Sequence, residues 1–183
     1  MEAAGFALFE TPIGTCGIAW GPSGLLGVCL PARGGEGAPA MSPRFHGLRA
    51  VEPEAEIDAL ITEIIAHLKG EKRDFSSAVL DLSGVSAFEA EVYRLAQAIP
   101  AGETRTYGQL AMQLGDLKLA RAVGHALGRN SWPIIVPCHR ITAADGRTGG
   151  FSAPGGADTK LKLLEIEGAL AVEQLPLFKS CSS

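Results

Sequence analysis

Long apolar runs are missing from this 183-residue chain, and nothing approaches the roughly 18 consecutive apolar residues that a membrane span needs. The opening Met1-Glu2-Ala3-Ala4-Gly5 has neither the basic nor the apolar segment of a secretion signal. Cysteine is scarce: Cys16, Cys29, Cys138 and Cys181 have no tight spacing, so neither a disulfide framework nor a metal knuckle is indicated. A reducing cytoplasm is the expected compartment. Internal repeats are absent as well. What is present is 46% hydrophobic and 20% charged residues, with a mean hydropathy of +0.18. That balance excludes wholesale disorder and supports one compact domain or two small ones.

The net charge of −4 argues at first against a nucleic-acid partner. Its distribution does not. Residues 1–100 carry 7 basic and 13 acidic side chains, whereas residues 101–150 carry 6 against 3. A positive segment on an acidic chain can mark a docking site for a polyanion or be an ordinary solvated face.

Phe6–Glu10, Cys16–Trp20 and Leu25–Leu30 are short apolar stretches separated by Pro- and Gly-containing turns, which reads as a small antiparallel sheet. Pro31 to Pro53 reads as a long connecting loop. Ile57, Leu60, Ile61, Ile64, Ile65 and Leu68 recur at helical spacing up to a stop at Lys69-Gly70. A boundary falls near residue 85. Ser86-Ala-Phe-Glu89 and Thr106-Tyr-Gly-Gln109 are capping-box patterns that open helices. The second of these runs through Leu114, and Gly115-Asp116 then turns the chain into another helix, Leu117–Gly128, giving a helix-turn-helix. Trp132 to Cys138 reads as an extended segment whose prolines exclude a central strand. A glycine-rich loop and a helix from Asp158 to Glu167 follow. The expected fold is α/β, in the α+β sense. Residues 1–85 form a small antiparallel sheet with a helix, residues 86–170 a winged-helix or helix-turn-helix unit, and residues 171–183 a tail.

Cys138 stands between Pro137 and His139-Arg140. A thiol is nucleophilic as the thiolate, which neighbouring cationic or basic groups favour. Alone, the dipeptide reads as a buried structural thiol beside a surface His-Arg pair. Val136-Pro-Cys-His-Arg-Ile141, Arg121-Ala-Val-Gly124, Asn130, Thr106-Tyr-Gly-Gln-Leu-Ala111 and Gly149-Gly-Phe-Ser-Ala-Pro-Gly155 together resemble the motifs of the O6-alkylguanine-DNA alkyltransferases, the methylated-DNA–protein-cysteine methyltransferases, in their bacterial form. The resemblance is dense from Phe88 to Gly168 and weaker over residues 6–85.

The resemblance implies a ribonuclease-H-like N-terminal subdomain and DNA repair by direct damage reversal. The alkyl group of O6-alkylguanine, with O4-alkylthymine a second candidate substrate, would pass irreversibly to Cys138, once per molecule and without a cofactor or metal. The helix-turn-helix would enter the minor groove of double-stranded DNA through Arg121, Ala122 and Gly124, and the damaged base would be flipped. His139 would deprotonate Cys138 through a water, with Glu167 orienting the imidazole. Tyr107 would donate to the leaving guanine and help rotate the nucleotide. Arg121 would fill the gap in the stack, and Asn130 would fix the turn before the cysteine. Phe151, Ser152 and the backbone near Cys138 and Ile141 would border the base pocket.

Leu119 and His125 depart from the small residues expected on a helix that enters the minor groove, while Ala122, Gly124 and Ala126 keep that character. Asp116 is unfavourable near phosphates. Cys16, Cys29, His46 and His67 do not match a zinc site and read as buried thiols and surface histidines. The rival readings are a winged-helix lesion-binding or regulatory protein without transfer, and a Cys-His hydrolase. In the tail, Gln174-Leu175-Pro176-Leu177-Phe178 resembles the motif by which bacterial polymerases and repair proteins dock into the sliding clamp. The protein is expected to be a monomer, away from membranes.

Overall fold

The structure is a computed structural model that describes residues 4–31, 45, 47–144 and 152–169. Strands β1 (Gly5–Thr11), β2 (Gly14–Gly21) and β3 (Gly24–Cys29) form an antiparallel sheet in that order. The register runs from Gly5 opposite Trp20 to Thr11 opposite Gly14, so the first turn is the tight Pro12-Ile13 connection read from the sequence. Alternation along β2 sends Cys16, Ile18 and Trp20 into the main core, while Ala19 packs with Cys29 and Phe45 on the opposite face.

Helix α1 (Ala55–Leu68) buries Ile57, Ile61, Ile64 and Leu68 in the same core. Gly70, at φ +98°, ends it as expected, in a conformation that only glycine adopts without strain. His67 lies on that apolar face and is only 2% exposed, which corrects its reading as a surface histidine. The loop expected between Pro31 and Pro53 falls largely outside the described residues.

Helix α2 (Ala87–Gln97) opens on the capping box: Ser86 Oγ accepts from the Glu89 amide, and Glu89 accepts from the Ser86 amide. Tyr93 crosses to the next layer, donating its hydroxyl to Ala126 O at 3.0 Å and meeting Trp132 edge to face. Trp132 donates Nε1–H to Leu25 O, and the Val28 amide donates to Ser131 O. These bonds tie the sheet to the loop that leads to Cys138. One continuous hydrophobic cluster runs from Phe9 to Leu163 across residue 85.

The two-residue strand β4 (Arg105–Thr106) pairs in parallel with β5 (Ile141–Thr142). Helix α3 (Tyr107–Gln113), capped by Thr106 and Gln109, starts at once, so this pairing brings Tyr107 to the segment that carries Cys138. The helix expected over Leu117–Gly128 begins as a 3-10 turn, Leu117–Leu119, and becomes α4 (Ala120–Gly128) only after it. Asp116 explains the tight start: its side chain accepts from the Lys118 amide and is committed as a cap. Leu119 is half-buried against the core rather than displayed on the outer face.

The extended segment expected from Trp132 to Cys138 is instead coiled into turns. The Val136 amide donates to Trp132 O and the Cys138 amide to Val136 O, and Cys138–Arg140 form a 3-10 turn. Residues 132–140 are all buried, so their backbone groups must pair internally, and ahead of the β4–β5 pairing at Ile141 they do so through local turns. Ile134 is held at φ +75°, a costly conformation for a β-branched residue that its packed surroundings impose. Helix α5 (Gly156–Ile166) closes the described chain.

Removing the Ser86 cap tests the α2 boundary. Ser86→Ala should lower stability by about 1 kcal/mol, read as a smaller urea midpoint with an unchanged slope.

Candidate active site

Cys138 heads the 3-10 turn at the base of a cavity of about 640 Å³ whose wall includes Tyr107, Ala120, Arg121, Gly124, Leu127, Gly128 and Ser152. Asn130 fixes this corner. Its side-chain oxygen accepts from the Trp132 amide at 2.9 Å, and its Nδ2 donates both to Val136 O at 2.8 Å and to Cys138 Sγ at 3.2 Å. One amide thus shapes the loop and supplies the thiol with a donor.

His139 follows directly in the chain and is completely buried. Its Nε2 lies 2.8 Å from Glu167 Oε1. A carboxylate only accepts, so Nε2 carries the proton and Nδ1 is left with a free lone pair. Nδ1 has no hydrogen-bond partner among the described residues. Glu167, expected at the end of the last helix, is its C-cap and only 3% exposed. Arg140 binds both carboxylate oxygens, through Nε at 3.0 Å to Oε2 and through an Nη at 2.8 Å to Oε1, and also reaches Ile99 O. His67 Nε2 completes the set at 2.9 Å from Oε1.

Burial sets the resting charge states. It pushes the Cys138 thiol above its ordinary pKa, against the Asn130 hydrogen bond and the Lys160 charge that pull it down. It also holds His139 below the usual imidazole value, outweighing Glu167. The site therefore rests as thiol and neutral imidazole at neutral pH, the state from which a base must remove the thiol proton. Burial likewise raises the Tyr107 phenol, with Cys138 adding to it, so Tyr107 keeps its proton and remains a donor. Cys16 is pushed up to about 11 by burial, which makes it inert.

Three participants escaped the sequence reading: His67, Arg140 and Lys160. Lys160 is wholly buried, donates Nζ to Ile141 O and lies 5.9 Å from the Tyr107 ring centroid. Burial brings its ammonium down to about 8, opposed by Cys138. Lys160, Leu163, Leu164 and Glu167 share the buried face of α5, so the helical period held a signal for it. The side chain of Ile141 is buried in the core, and its carbonyl accepts from Lys160. Phe151 lies outside the described residues. Arg121, Ala122 and His125 are exposed on α4, whereas Ala126 is turned inward beneath Tyr93. Gly124 faces Tyr107, whose ring would stand in ordinary contact, 3.7 Å from a Cβ there.

The positive segment is less positive than its composition. Arg140 is consumed by Glu167, Arg105 pairs with Glu103, and Arg129 with Glu89. Lys118 and Arg121 remain on the outer surface of the helix pair.

Fold and site define a DNA-binding-type helix pair set over a buried cysteine with a histidine–carboxylate relay. Residues 87–169 match the sequence model of the "6-O-methylguanine DNA methyltransferase, DNA binding domain" family. The methylated-DNA–protein-cysteine methyltransferase of Methanothermobacter thermautotrophicus is 33% identical over 157 residues, spanning 86% of this chain and 81% of the relative. The protein of the same name from Mycolicibacterium paratuberculosis is 43% identical over 118 residues, 64% of this chain and 69% of the relative. Among solved structures, Mycobacterium tuberculosis OGT in complex with DNA superposes with a TM-score of 0.73 at 34% identity, covering 90% of this chain and 92% of that one. The chain belongs to the methylated-DNA–protein-cysteine methyltransferase family. No helix among the described residues is long and apolar enough to cross a membrane.

Glu167 makes the site part of the stability of the fold. Burial alone would raise its carboxyl, but the hydrogen bonds from His139, His67 and Arg140 more than offset this and hold it far below the usual range. The stabilisation is therefore complete above the unfolded value of about 4.3 and is lost as pH falls below it. Glu167→Gln, which leaves Arg140 buried without its counter-charge, should cost about 3 kcal/mol at pH 7. Urea unfolding at pH 7 and at pH 3 should show the difference from the unsubstituted protein shrinking at the acid end.

Proposed function

We propose that this protein repairs DNA by direct reversal, taking the alkyl group from O6 of guanine in double-stranded DNA onto Cys138, once per molecule and without a cofactor. The observation that carries the reading is the convergence of Asn130, Cys138, His139 and Glu167 beneath a cavity walled by Tyr107 and the outer helix of the pair. Arg121, Ala122 and Gly124 meet the minor groove, and the damaged base is rotated out of the stack into the cavity. Arg121 props the opened stack. As the base enters, His139 Nδ1 takes the thiol proton by way of a water, and Glu167 balances the imidazolium. The S–C bond forms as the C–O6 bond breaks. The departing guanine takes up a proton through the Tyr107 hydroxyl, which balances the one His139 removed from the thiol, and Lys160 and Asn130 stabilise the thiolate before attack. Ser152 and Phe151 border the base.

Residues 1–85 and 86–170 are proposed to act as two subdomains, in a monomeric cytoplasmic protein. The rival is a lesion-binding protein that never transfers. Intact mass decides between them. After mixing with O6-methylguanine duplex, the protein should gain one CH₂ unit at Cys138, and Cys138→Ser should bind the lesion without gaining mass. An unsubstituted protein of unchanged mass would leave binding without transfer.

The tail, residues 171–183, lies outside the described residues. We propose that Gln174, Leu175, Leu177 and Phe178 dock into a bacterial sliding clamp. Leu177 and Phe178 would anchor in an apolar groove and Pro176 would reduce the entropy lost on binding. A peptide spanning Glu173–Ser183 should bind a purified clamp with a Kd of about 1 μM. It should lose binding when Leu177 and Phe178 are both replaced by alanine.

A further inference from the structure

His67 belongs to α1, seventy-one residues before Cys138 in sequence, yet its side chain ends on the relay. Its ring is fixed from three directions. The Arg73 amide donates to Nδ1 at 3.3 Å, Phe75 stands edge to face at 5.4 Å between centroids, and Nε2 lies 2.9 Å from Glu167 Oε1. An amide can only donate, so Nδ1 is the acceptor and the proton is on Nε2, aimed at the carboxylate. His67 and His139 thus both place an N–H on the same oxygen, Oε1, which Arg140 also binds.

We propose that His67 is a positioning residue for the transfer reaction: it holds Glu167 in line with His139 and, by sharing Oε1, limits how strongly the carboxylate draws a proton onto His139. The inference rests on the alkyltransferase reading and deepens it. A carboxylate oxygen that serves several donors gives less of its charge to each. Without His67, Oε1 would turn more fully to His139, and the imidazole would be protonated at a higher pH. The carboxylate would also lose its anchor from α1 and hold the ring less firmly.

The charged and titratable groups around His139 and Glu167 come from three elements: His67 from α1, Arg140 from the Cys138 turn, and Glu167 itself at the end of α5. Lys160, also from α5, acts on Cys138. The acid limb of the transfer rate reports on His139, the base that must be neutral to take the thiol proton. Arg140 already balances Glu167, so His67 is not needed to keep the carboxylate ionised.

The test is the single-turnover rate of alkyl transfer from O6-methylguanine duplex between pH 5 and 9, measured on the full chain. His67→Leu and His67→Met remove the donor and keep the bulk, while His67→Gln retains an N–H. Thermal melts establish that each variant is folded. The donor-less variants should transfer roughly ten- to a hundredfold more slowly at the optimum, as expected for loosened alignment. Their acid limb should move up by roughly half a pH unit or more. His67→Gln should fall between them and the unsubstituted protein on both measures. A purely structural role would lower the melting temperature and leave the acid limb in place, so folded variants with an unmoved or lowered limb overturn the inference. Failure of both donor-less variants to fold overturns it too, by making His67 a requirement of folding. If the unsubstituted protein transfers nothing, it is the alkyltransferase reading that falls.

Discussion

A single buried carboxylate organises this molecule. Glu167 receives donors from His67 on α1, from His139 and from Arg140, and Arg140 in turn reaches the backbone of Ile99 just after α2. A carboxylate with no exposed surface is tolerated only when its charge is balanced and its lone pairs are occupied. Arg140 supplies the balance and the two imidazoles complete the occupancy. Neighbouring features serve the same point: the turn at Gly102, at φ +91°, comes close enough to the Glu167 carbonyl that a Cβ there would stand 3.1 Å from it. The early sheet, through Trp132 and Leu25, and α1, through His67, are both fastened to the segment that carries Cys138.

Local chemistry was legible in the sequence wherever a few adjacent residues determine the outcome. The capping boxes at Ser86 and Thr106, the glycine stop at Gly70 and the two hairpin turns of the sheet each need only four or five residues to specify them. The segment from Trp132 to Cys138 was misread for the complementary reason. Its prolines do exclude a ladder, but the alternative depends on Asn130, whose amide gathers Val136 O and Cys138 Sγ. It depends also on burial, which forces the backbone to bond to itself. Tertiary surroundings made that choice.

The site shows the same division. Cys138, His139, Asn130 and Glu167 stood out because the motif places them at fixed offsets. Arg140 stood inside the same motif and was read as a basic neighbour of the thiol or half of a surface pair, since nothing local tells a surface arginine from one sunk against a carboxylate. Lys160 carried a periodic signal on the buried face of α5. His67 carried half of one: a histidine on an apolar helical stripe announces burial, but nothing local announces a partner one hundred residues later. The composition of residues 101–150 misled in a related way, because three of its cations are held by Glu89, Glu103 and Glu167. On the proposed reading, Lys118 and Arg121 are the described cations of the helix pair that stand outside these pairs and face outward to meet DNA.

On the proposed reading, burial also bears on how a single-use nucleophile survives until it is needed. A thiolate at rest would react with any soft electrophile or oxidant that reached it, and each such event would consume the protein. Here burial raises Cys138 and lowers His139, so proton transfer from one to the other is uphill in the empty site. The ion pair it creates gains from groups already in place: the Asn130 amide on sulfur, the Lys160 ammonium nearby and Glu167 behind the imidazole. None of these has to reorganise when the proton moves, which is the condition under which fixed dipoles and charges assist a reaction most. What remains of the cost falls to the arriving base, which displaces solvent from the cavity and strengthens every charge interaction within it. On this account the low reactivity of the resting thiol and its activation by a flipped base have one origin, a preorganised polar cluster enclosed in an apolar shell.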